Sequence, residues 1–578
     1  MRVSPLSSFI CGGVLFAAVA ALALQASAAD TATMPATAIT AVTKNLDSVG
    51  KYAKLELSVK LTGNYTNPYD PDQIDLSAEF TAPSKKVWKV NGFFDGTGWK
   101  VRFAANEVGN WTYTVSAKDA TGTIKSPAGT FACAESKNHG WVKVADNKRY
   151  LSYDDGTSFY GVGCCHAWGV STNTLDQMKA LGFNTYVYWN GTYDQGGGNA
   201  LIESMQSGLG KYDQRKCARL DTLIDWNEAR DMTMVLVILP HDYACENMGG
   251  WPAKWVQYNP YQTITTSDKY YSDEKSWEYQ QKQYRYIIAR WGYSRGISSW
   301  QTVDEISGTS GWKNQASANA WAGKIGEFFQ THDPFKHPTT ASHGGFWDPG
   351  NKVNDLPNTE IYGNYSTQNI ISTVQKLWNG YEKPCIMGET GAEGDGPTCH
   401  RKIWAGLASG ISVTPLLWQF TQGWSPAISA QYPAFNKFIA DIDFAHLKKP
   451  AQAKVTLVGP RTPSTSTAPA TAPTPPAPGG RGGRGANNAP LTGAWGITSE
   501  QITFGWMSGE YSGKTLSVAG LAAGSYDVQW WNTNTGAIIS TEKATVAGGP
   551  LTAKIPTTTQ LDIAFKIVAP GAAKPKAP

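Results

Sequence analysis

"SSWQTVDEISG", residues 298–308, is an apolar run that stops abruptly in two acids, Asp304 and Glu305, before small polar residues and a glycine. Its length and its Trp/Val content are those of a buried strand. A carboxylate at the tip of such a strand is costly unless the strand end opens into a polar site, so its neighbours decide how it is read. "EYQQKQYRYIIARWG" before it and "ANAWAGKIGEFFQTHD" after it carry helical periodicity.

The same rhythm runs through residues 145–450. The short apolar runs are SFYGVG (158–163), FNTYVYW (183–189), TMVLVIL (233–239), SSWQTVD (298–304), HPTTAS (337–342), NTEIYGN (358–364), KPCIMG (383–388) and SVTPLLW (412–418). Helical patterns such as "LDQMKALG", "ARLDTLIDWNEARD", "TQNIISTVQKLWNG" and "RKIWAGLASG" fall between most of them. Eight strands alternating with helices predict a (β/α)8 TIM barrel over residues 140–455. The fifth repeat is the weakest, because no clear helix separates runs five and six.

The flanks have a different pattern. Residues 40–135 hold "AKLELSVKL", "DLSAEFTA", "WKVNGFFD", "GWKVRFAA" and "GNWTYTVSA", short alternating runs punctuated by Gly, Asn, Asp and Pro, which predict an N-terminal β-sandwich. Residues 461–490 are dominated by Pro, Ala, Thr and Gly and read as a linker. Beyond it, "KTLSVAGL", "GSYDVQWWNTNTG", "IISTEKATVA" and "LDIAFKIVA" predict a C-terminal β-sandwich over 491–569, followed by a tail, 570–578. A sandwich held on such a linker is expected to shape the cleft or to anchor the protein on a cell wall or polysaccharide.

Composition narrows the ligand. The 578-residue chain is only 17% charged, is 12% aromatic and carries a formal charge of +4. It has no long basic stripe, so nucleic acid is not an expected partner. A surface poor in charge and rich in rings suits sugars, whose C–H faces stack on aromatics. Residues 1–28 read as a signal peptide: Arg2, the apolar run "FICGGVLFAAVAALAL" and the small-residue site "ASA" predict cleavage after Ala28, hence a secreted or periplasmic protein. No other segment is apolar enough to span a membrane. Of the 8 cysteines, Cys11 falls in this leader. The remainder are scattered, and Cys217–Cys245 or Cys385–Cys399 could pair.

In a barrel of this kind chemistry sits at the carboxyl ends of the strands. Glu305 ends strand four, and Glu389, in "KPCIMGET", ends strand seven, 84 residues on (389 − 305), or three βα units of about 28 residues. The two carboxylates therefore face each other across the mouth. Such a pair suits glycosidic cleavage: one protonates the leaving oxygen and the other attacks the anomeric carbon, at a separation of about 5–5.5 Å in a retaining enzyme.

On these residues the chain resembles glycoside hydrolase clan A, in its cellulase-like and apiosidase-like members. "RYIIARWGYSRGISSWQTVDE" resembles the approach to the acid/base glutamate, "KPCIMGETG" the nucleophile strand, and "ASGISVTPLLWQF" the eighth strand with its sugar-platform tryptophan. "GFFDGTGWKVRFAANEVGNWTYTV" resembles the sandwich found ahead of such barrels, and "LAAGSYDVQWWNTNTG" a C-terminal sandwich named for collagen binding. The resemblance implies that Glu305 is the acid/base, that Glu389 is the nucleophile, and that no cofactor or metal is needed. In one departure, Asp304 stands where the clan has the Asn that binds the sugar 2-hydroxyl.

Other strand ends supply substrate-binding candidates: His166 and Trp168 after strand one, Trp189 and Asn190 after two, His241 and Asp242 after three, His343 after five, Tyr365 after six and Trp418 after eight. Tyr365 and Trp418 are favoured, since an aromatic beside the nucleophile and one under the sugar recur in the clan. Metal-dependent hydrolysis would require a His-x-His pair on strand one, which is lacking. No G-x-S-x-G motif sits at a strand–helix turn, which argues against esterase chemistry. The expected function is a secreted retaining glycoside hydrolase acting on a polysaccharide or oligosaccharide; the alternative is a non-catalytic carbohydrate-binding protein built on the same barrel.

Overall fold

The computed structural model describes residues 37–190, 201–247, 253–363, 365–391, 395–421, 423–459, 491–569 and 571. They form a TIM barrel flanked by β-sandwich domains.

The barrel strands are β1 (Gly163–Cys165), β2 (Thr185–Trp189), β3 (Thr233–Val237), β4 (Ile297–Gln301), β5 (Thr339–Thr340), β6 (Asn358–Ile361), β7 (Ile386–Gly391) and β8 (Leu417–Trp418). They form one 8-stranded sheet in the order β5-β4-β3-β2-β1-β8-β7-β6. A parallel bridge from Thr340 to Leu356, just ahead of β6, brings the two edges together. The helices outside the strands are α1 (Thr172–Ala180), α2 (Gln214–Glu228), α3 (Glu274–Trp291), α4 (Gln315–His332), α5 (Asp348–Val353), α6 (Thr367–Gly380), α7 (Gly396–Ser409) and α8 (Tyr432–Ile439). Their starts follow the sequence: Asp213, Asp273, Asn314, Ser366 and Asp395 each accept a hydrogen bond from the first turn of the helix they precede. The helix missing from the fifth repeat is α5, only 6 residues long and too short to show a periodicity.

Strand one begins later than the apolar run suggests. Ser158–Phe159 pairs with Leu151–Tyr153, which pairs with Val142–Val144, in a separate antiparallel sheet. Val142, Leu151 and Phe159 pack with Val187, Val235, Ile386, Val413 and Leu416, so this small sheet plugs the barrel interior from below. Gly163 then allows the close approach of β1 to β2, since a Cβ there would stand 1.9 Å from the Thr185 carbonyl oxygen.

The N-terminal sandwich pairs a sheet containing Lys54–Thr62 and Trp99–Ala104 with one containing Asp75–Thr81 and Gly109–Asp119. Leu76, Ala78 and Phe80 alternate inward, and Phe80 stacks on Phe103 of the facing sheet at 4.2 Å. The sandwich is locked to the barrel by Asp221 of α2, which accepts from Arg102 at 2.7 Å, from Arg290 at 2.7 Å and from the Trp291 indole at 2.7 Å.

The C-terminal sandwich is assembled differently from the expectation. Lys454–Val458 pairs with Thr515–Ala519, and Ala451–Gln452 pairs with Gly493–Thr498. The chain enters this sandwich before the Pro/Ala/Thr/Gly stretch and returns to it afterwards. Residues 461–490, themselves outside the described residues, therefore interrupt one sandwich rather than join it to the barrel. Composition marks a stretch that builds no core, but not whether its two ends belong to one domain. The sandwich also docks on the barrel: Trp531 meets Phe438 of α8 at 5.4 Å, His400 of α7 lies 3.0 Å from Asp562, and buried Lys566 pairs with Asp441.

The described cysteines Cys133, Cys164, Cys165, Cys217, Cys245, Cys385 and Cys399 are all buried free thiols. Neither pairing considered from the sequence is formed, because each thiol lies in the packing of its own element.

Candidate active site

The carboxyl end of β4 continues past its last strand residue through backbone bonds to both neighbours. Asp304 N donates to Leu239 O at 3.0 Å, and Ile306 N to Ser342 O at 3.1 Å. Glu305 between them is left-handed, φ 43 and ψ 57, a conformation that costs a non-glycine residue about 1–3 kcal/mol. It is held there by Glu305 N donating to Ser342 Oγ at 2.8 Å and Gly308 N donating to Glu305 O at 2.8 Å. The turn lifts the Glu305 side chain into the mouth, 31% exposed, and leaves Asp304 in the floor, 1% exposed.

Asp304 Oδ1 accepts from Gln301 Nε2 at 2.6 Å and from Ser342 Oγ at 3.1 Å. Both partners require an acceptor, which a carboxylate satisfies. His241 stands between the two acids, its Nδ1 3.6 Å from Asp304 Oδ2 and 3.6 Å from Glu305 Oε2. Burial opposes the charge of His241, but Asp304 and Glu305 outweigh it and raise its pKa above the ordinary value.

Glu389 projects from β7, where all six residues are buried. Its Oε1 accepts the Tyr362 hydroxyl hydrogen, and its Oε2 lies 4.0 Å from Cys165 Sγ. On β6, Glu360 is aligned with Glu389 across the ladder and is 5% exposed. Oxygens of Asp304, Glu360 and Glu389 lie within 4.8 Å of one another, too close for three full negative charges without a compensating proton or cation. Burial, then Glu305, Glu389 and Asp304, push the Glu360 pKa well up, with the Ser342 hydroxyl opposing them. Burial, then Asp304 and Glu305, do the same to Glu389, against the Tyr362 bond. Burial also raises Glu305, with His241 opposing it and Asp304 adding to it.

Two aromatic groups are close to this floor. Trp168 meets Trp189 at 5.6 Å and Trp418 at 5.2 Å, and Trp189 meets His241 at 5.5 Å. Gln419, joined to Trp418 by a cis peptide, accepts from Ala167 N at 2.9 Å and so ties the ends of β8 and β1 together. On the other side, Trp312 meets His343 at 4.7 Å, and His343 lies 6.0 Å from Trp347. His343 O accepts from Ser307 Oγ at 2.5 Å.

Glu305, Glu389, Asp304, His241, Trp168, Trp189 and Trp418 are thus drawn together. Asn190 is buried, its N–H bonded to Val237 O at 3.1 Å. Three other choices are engaged by other groups. His166 is turned by strand alternation away from the side on which Cys165 meets Glu389; it packs edge-on to Phe420, and burial pushes its pKa down to about 4. Asp242 forms a fully buried ion pair with Lys254 at 2.8 Å. The Tyr365 ring lies under the Lys402 ammonium at 3.6 Å, and Tyr362 is the tyrosine on Glu389. Asn364 falls outside the described residues. Glu360, Gln301, Ser342 and Trp312 were not singled out from the sequence. Glu360 had a signal, as the one acid inside the otherwise uncharged run NTEIYGN; Ser342 and Gln301 had none.

Residues 48–118, in the N-terminal sandwich, match a domain of unknown function, DUF5060. No curated protein matches the chain. Among solved structures, a Bacteroides vulgatus ATCC 8482 protein assigned to the glycoside hydrolases superposes with a TM-score of 0.60 at 17% identity, covering 91% of this chain and 100% of that one. A glycoside hydrolase family 5 protein from the same organism gives 0.50 at 11% identity, covering 76% and 96%, and another glycoside hydrolase gives 0.50 at 12%, covering 75% and 98%. The chain shares the fold of these glycoside hydrolases over the lengths aligned. At such identities the likeness is one of fold, and function is argued from the site.

Proposed function

We propose that this protein is a retaining glycoside hydrolase of the clan A type, acting on a polysaccharide or oligosaccharide. The observation that carries the reading is the convergence of Glu305 and Glu389, from opposite sides of the barrel mouth, on a floor whose other polar groups differentiate them. Glu389 accepts from Tyr362, which favours its anion; Glu305 is the more exposed of the two and reaches the leaving group.

In the first step the Glu389 carboxylate attacks the anomeric carbon while Glu305 gives its proton to the departing glycosidic oxygen. The glycosyl ester is then attacked by water, whose proton returns to Glu305, and Glu389 leaves as the carboxylate. His241 steadies Glu305 in its ionised interval. The Trp168–Trp189–Trp418 group stacks the sugar on one side, and the Trp312–His343 pair offers a second face for a further unit. The basic, apolar and small-residue sequence of 1–28 supports export and action outside the cytoplasm.

The test is product release from a panel of plant, algal and microbial glycans by wild type, Glu305→Gln and Glu389→Gln. Wild type is expected to cut at least one glycan with retention at the anomeric carbon, read by NMR. Each variant is expected to lose on the order of 10²–10⁴-fold. A wild type that binds a glycan but releases nothing, with both variants binding equally well, would instead establish a carbohydrate-binding barrel.

A further inference from the structure

Among the described residues, the donors beside Asp304, Glu305 and Glu389 are directed at those acids or at the backbone. The Ser342 hydroxyl has one hydrogen, which is directed at Asp304 Oδ1 at 3.1 Å, with Glu360 as a competing acceptor. The Gln301 amide is shared between Asp304 Oδ1 and Ser342 Oγ. The Tyr362 hydroxyl hydrogen goes to Glu389. His241 Nδ1 faces Asp304 and Glu305. The Cys165 thiol faces Glu389, and the nearby cation Lys402 donates to the Gly391 carbonyl.

Glu360 is left over. It is 5% exposed, and neither of its oxygens meets a well-aligned donor among the described residues. It has acids on both sides: Glu305 within hydrogen-bonding reach, and Glu389 and Asp304 within the 4.8 Å group. An ionised carboxylate with no well-aligned donor and three acids around it is an unfavourable arrangement in a buried pocket. A protonated one satisfies it, because the carboxylic O–H then supplies the missing hydrogen to a neighbouring oxygen.

We propose that Glu360 is a positioning residue that stays protonated and donates a hydrogen bond to the Glu305/Glu389 pair from β6. Neutral Glu360 separates the two acids without adding a charge. Glu389 can then ionise against Tyr362 while Glu305 keeps the proton it must deliver. Burial and the surrounding acids, which push the Glu360 pKa well up, agree with this assignment. The catalytic role rests on the hydrolase reading; the protonation state does not, so the two are tested separately.

The substrate-free test is isotope-edited infrared spectroscopy of the full chain at pH 8 with Glu305→Gln and Glu203→Gln combined, since Glu203 itself holds a proton up to about pH 8. A protonated carboxylic acid C=O band is expected there and is expected to lose intensity on adding Glu360→Gln; a band that this substitution leaves unchanged overturns the proposal. Absence of the band before that addition overturns the proposal even if neither Glu360 variant folds. A thermal shift with Ca²⁺ or Mn²⁺ that is seen in wild type and abolished in Glu360→Gln also overturns it, because the carboxyls would then be ionised around a cation.

The kinetic test follows on any glycan that wild type cuts. Glu360→Ala removes the donor, and kcat is expected to fall roughly 10–100-fold with KM little changed. Glu360→Gln keeps a neutral donor, and it is expected to recover most of that loss with both limbs of the pH profile where wild type has them. A profile shifted to lower pH in Glu360→Gln shows that a negative charge was removed, and overturns the proposal.

Discussion

Tyr362 donates its hydroxyl hydrogen to Glu389 Oε1, from the end of β6 to the middle of β7. A bond donated to the ionised form lowers a carboxyl pKa, so it works against the burial and the neighbouring acids that raise Glu389. Tyr362→Phe removes it. The acid limb of kcat/KM is then expected to move to higher pH, because Glu389 needs a less acidic solution to ionise, with a rate loss of about 10–100-fold at the wild-type optimum. A pH profile of the variant beside wild type checks both.

His241 lies 3.6 Å from both Asp304 and Glu305 and lowers the Glu305 pKa against its burial. In His241→Asn, Glu305 should hold its proton to higher pH, moving the alkaline limb up by about one unit. The stability sign is separate. The native pKa of His241 is raised, so its ionic stabilisation is complete below the ordinary value of 6.5 and is lost as pH rises through the native value. Melting curves from pH 5 to 9 should show that slope in wild type and a shallower one in the variant.

Glu203 is buried outside the mouth, where it accepts from Gly210 N at 2.5 Å, Gln283 Nε2 at 2.7 Å and Tyr261 Oη at 3.2 Å. Burial outweighs these three bonds and pushes its pKa up to about 8. A raised carboxyl stabilises the fold below its ordinary value of 4.5 and loses that contribution as pH rises through about 8. Glu203→Gln cannot ionise, so the fall in Tm of wild type between pH 5 and 9 should be smaller in the variant.

Trp531 packs on Phe438 at 5.4 Å and under Lys566 at 4.3 Å, at the seam between the C-terminal sandwich and the barrel. Trp531→Ala should cost about 3–5 kcal/mol. Calorimetry should show one transition in wild type and a separate, earlier sandwich transition in the variant. A second wild-type transition would show instead that the two units unfold independently.

Much of the mouth could be read in the sequence because a barrel strand that ends in an acid breaks its own hydrophobic pattern. That is why Glu305, Asp304 and Glu389 stood out. His166 and Asp242 stood at strand ends too, but position along the chain does not say which way a side chain turns. Alternation sends Cys165 to Glu389 and His166 to the opposite side, and a lysine from the following loop captures Asp242. Tyr362 and Tyr365 are three residues apart, and only the path of the chain after β6 puts the first of them on Glu389.

The period and order of the apolar runs determined the alternating barrel and the β-rich flanks, because those patterns follow from burying one face of each element. The sequence also determined that acids end strands four and seven. Tertiary structure alone decided that residues 451–458 belong to the C-terminal sandwich, since pairing between distant strands leaves no local mark. It alone decided that the Ser342 hydroxyl is aimed at Asp304 and that Glu360 is left without a well-aligned donor among the described residues. A hydrogen has one destination, and that destination is fixed by groups that come together only when the barrel closes.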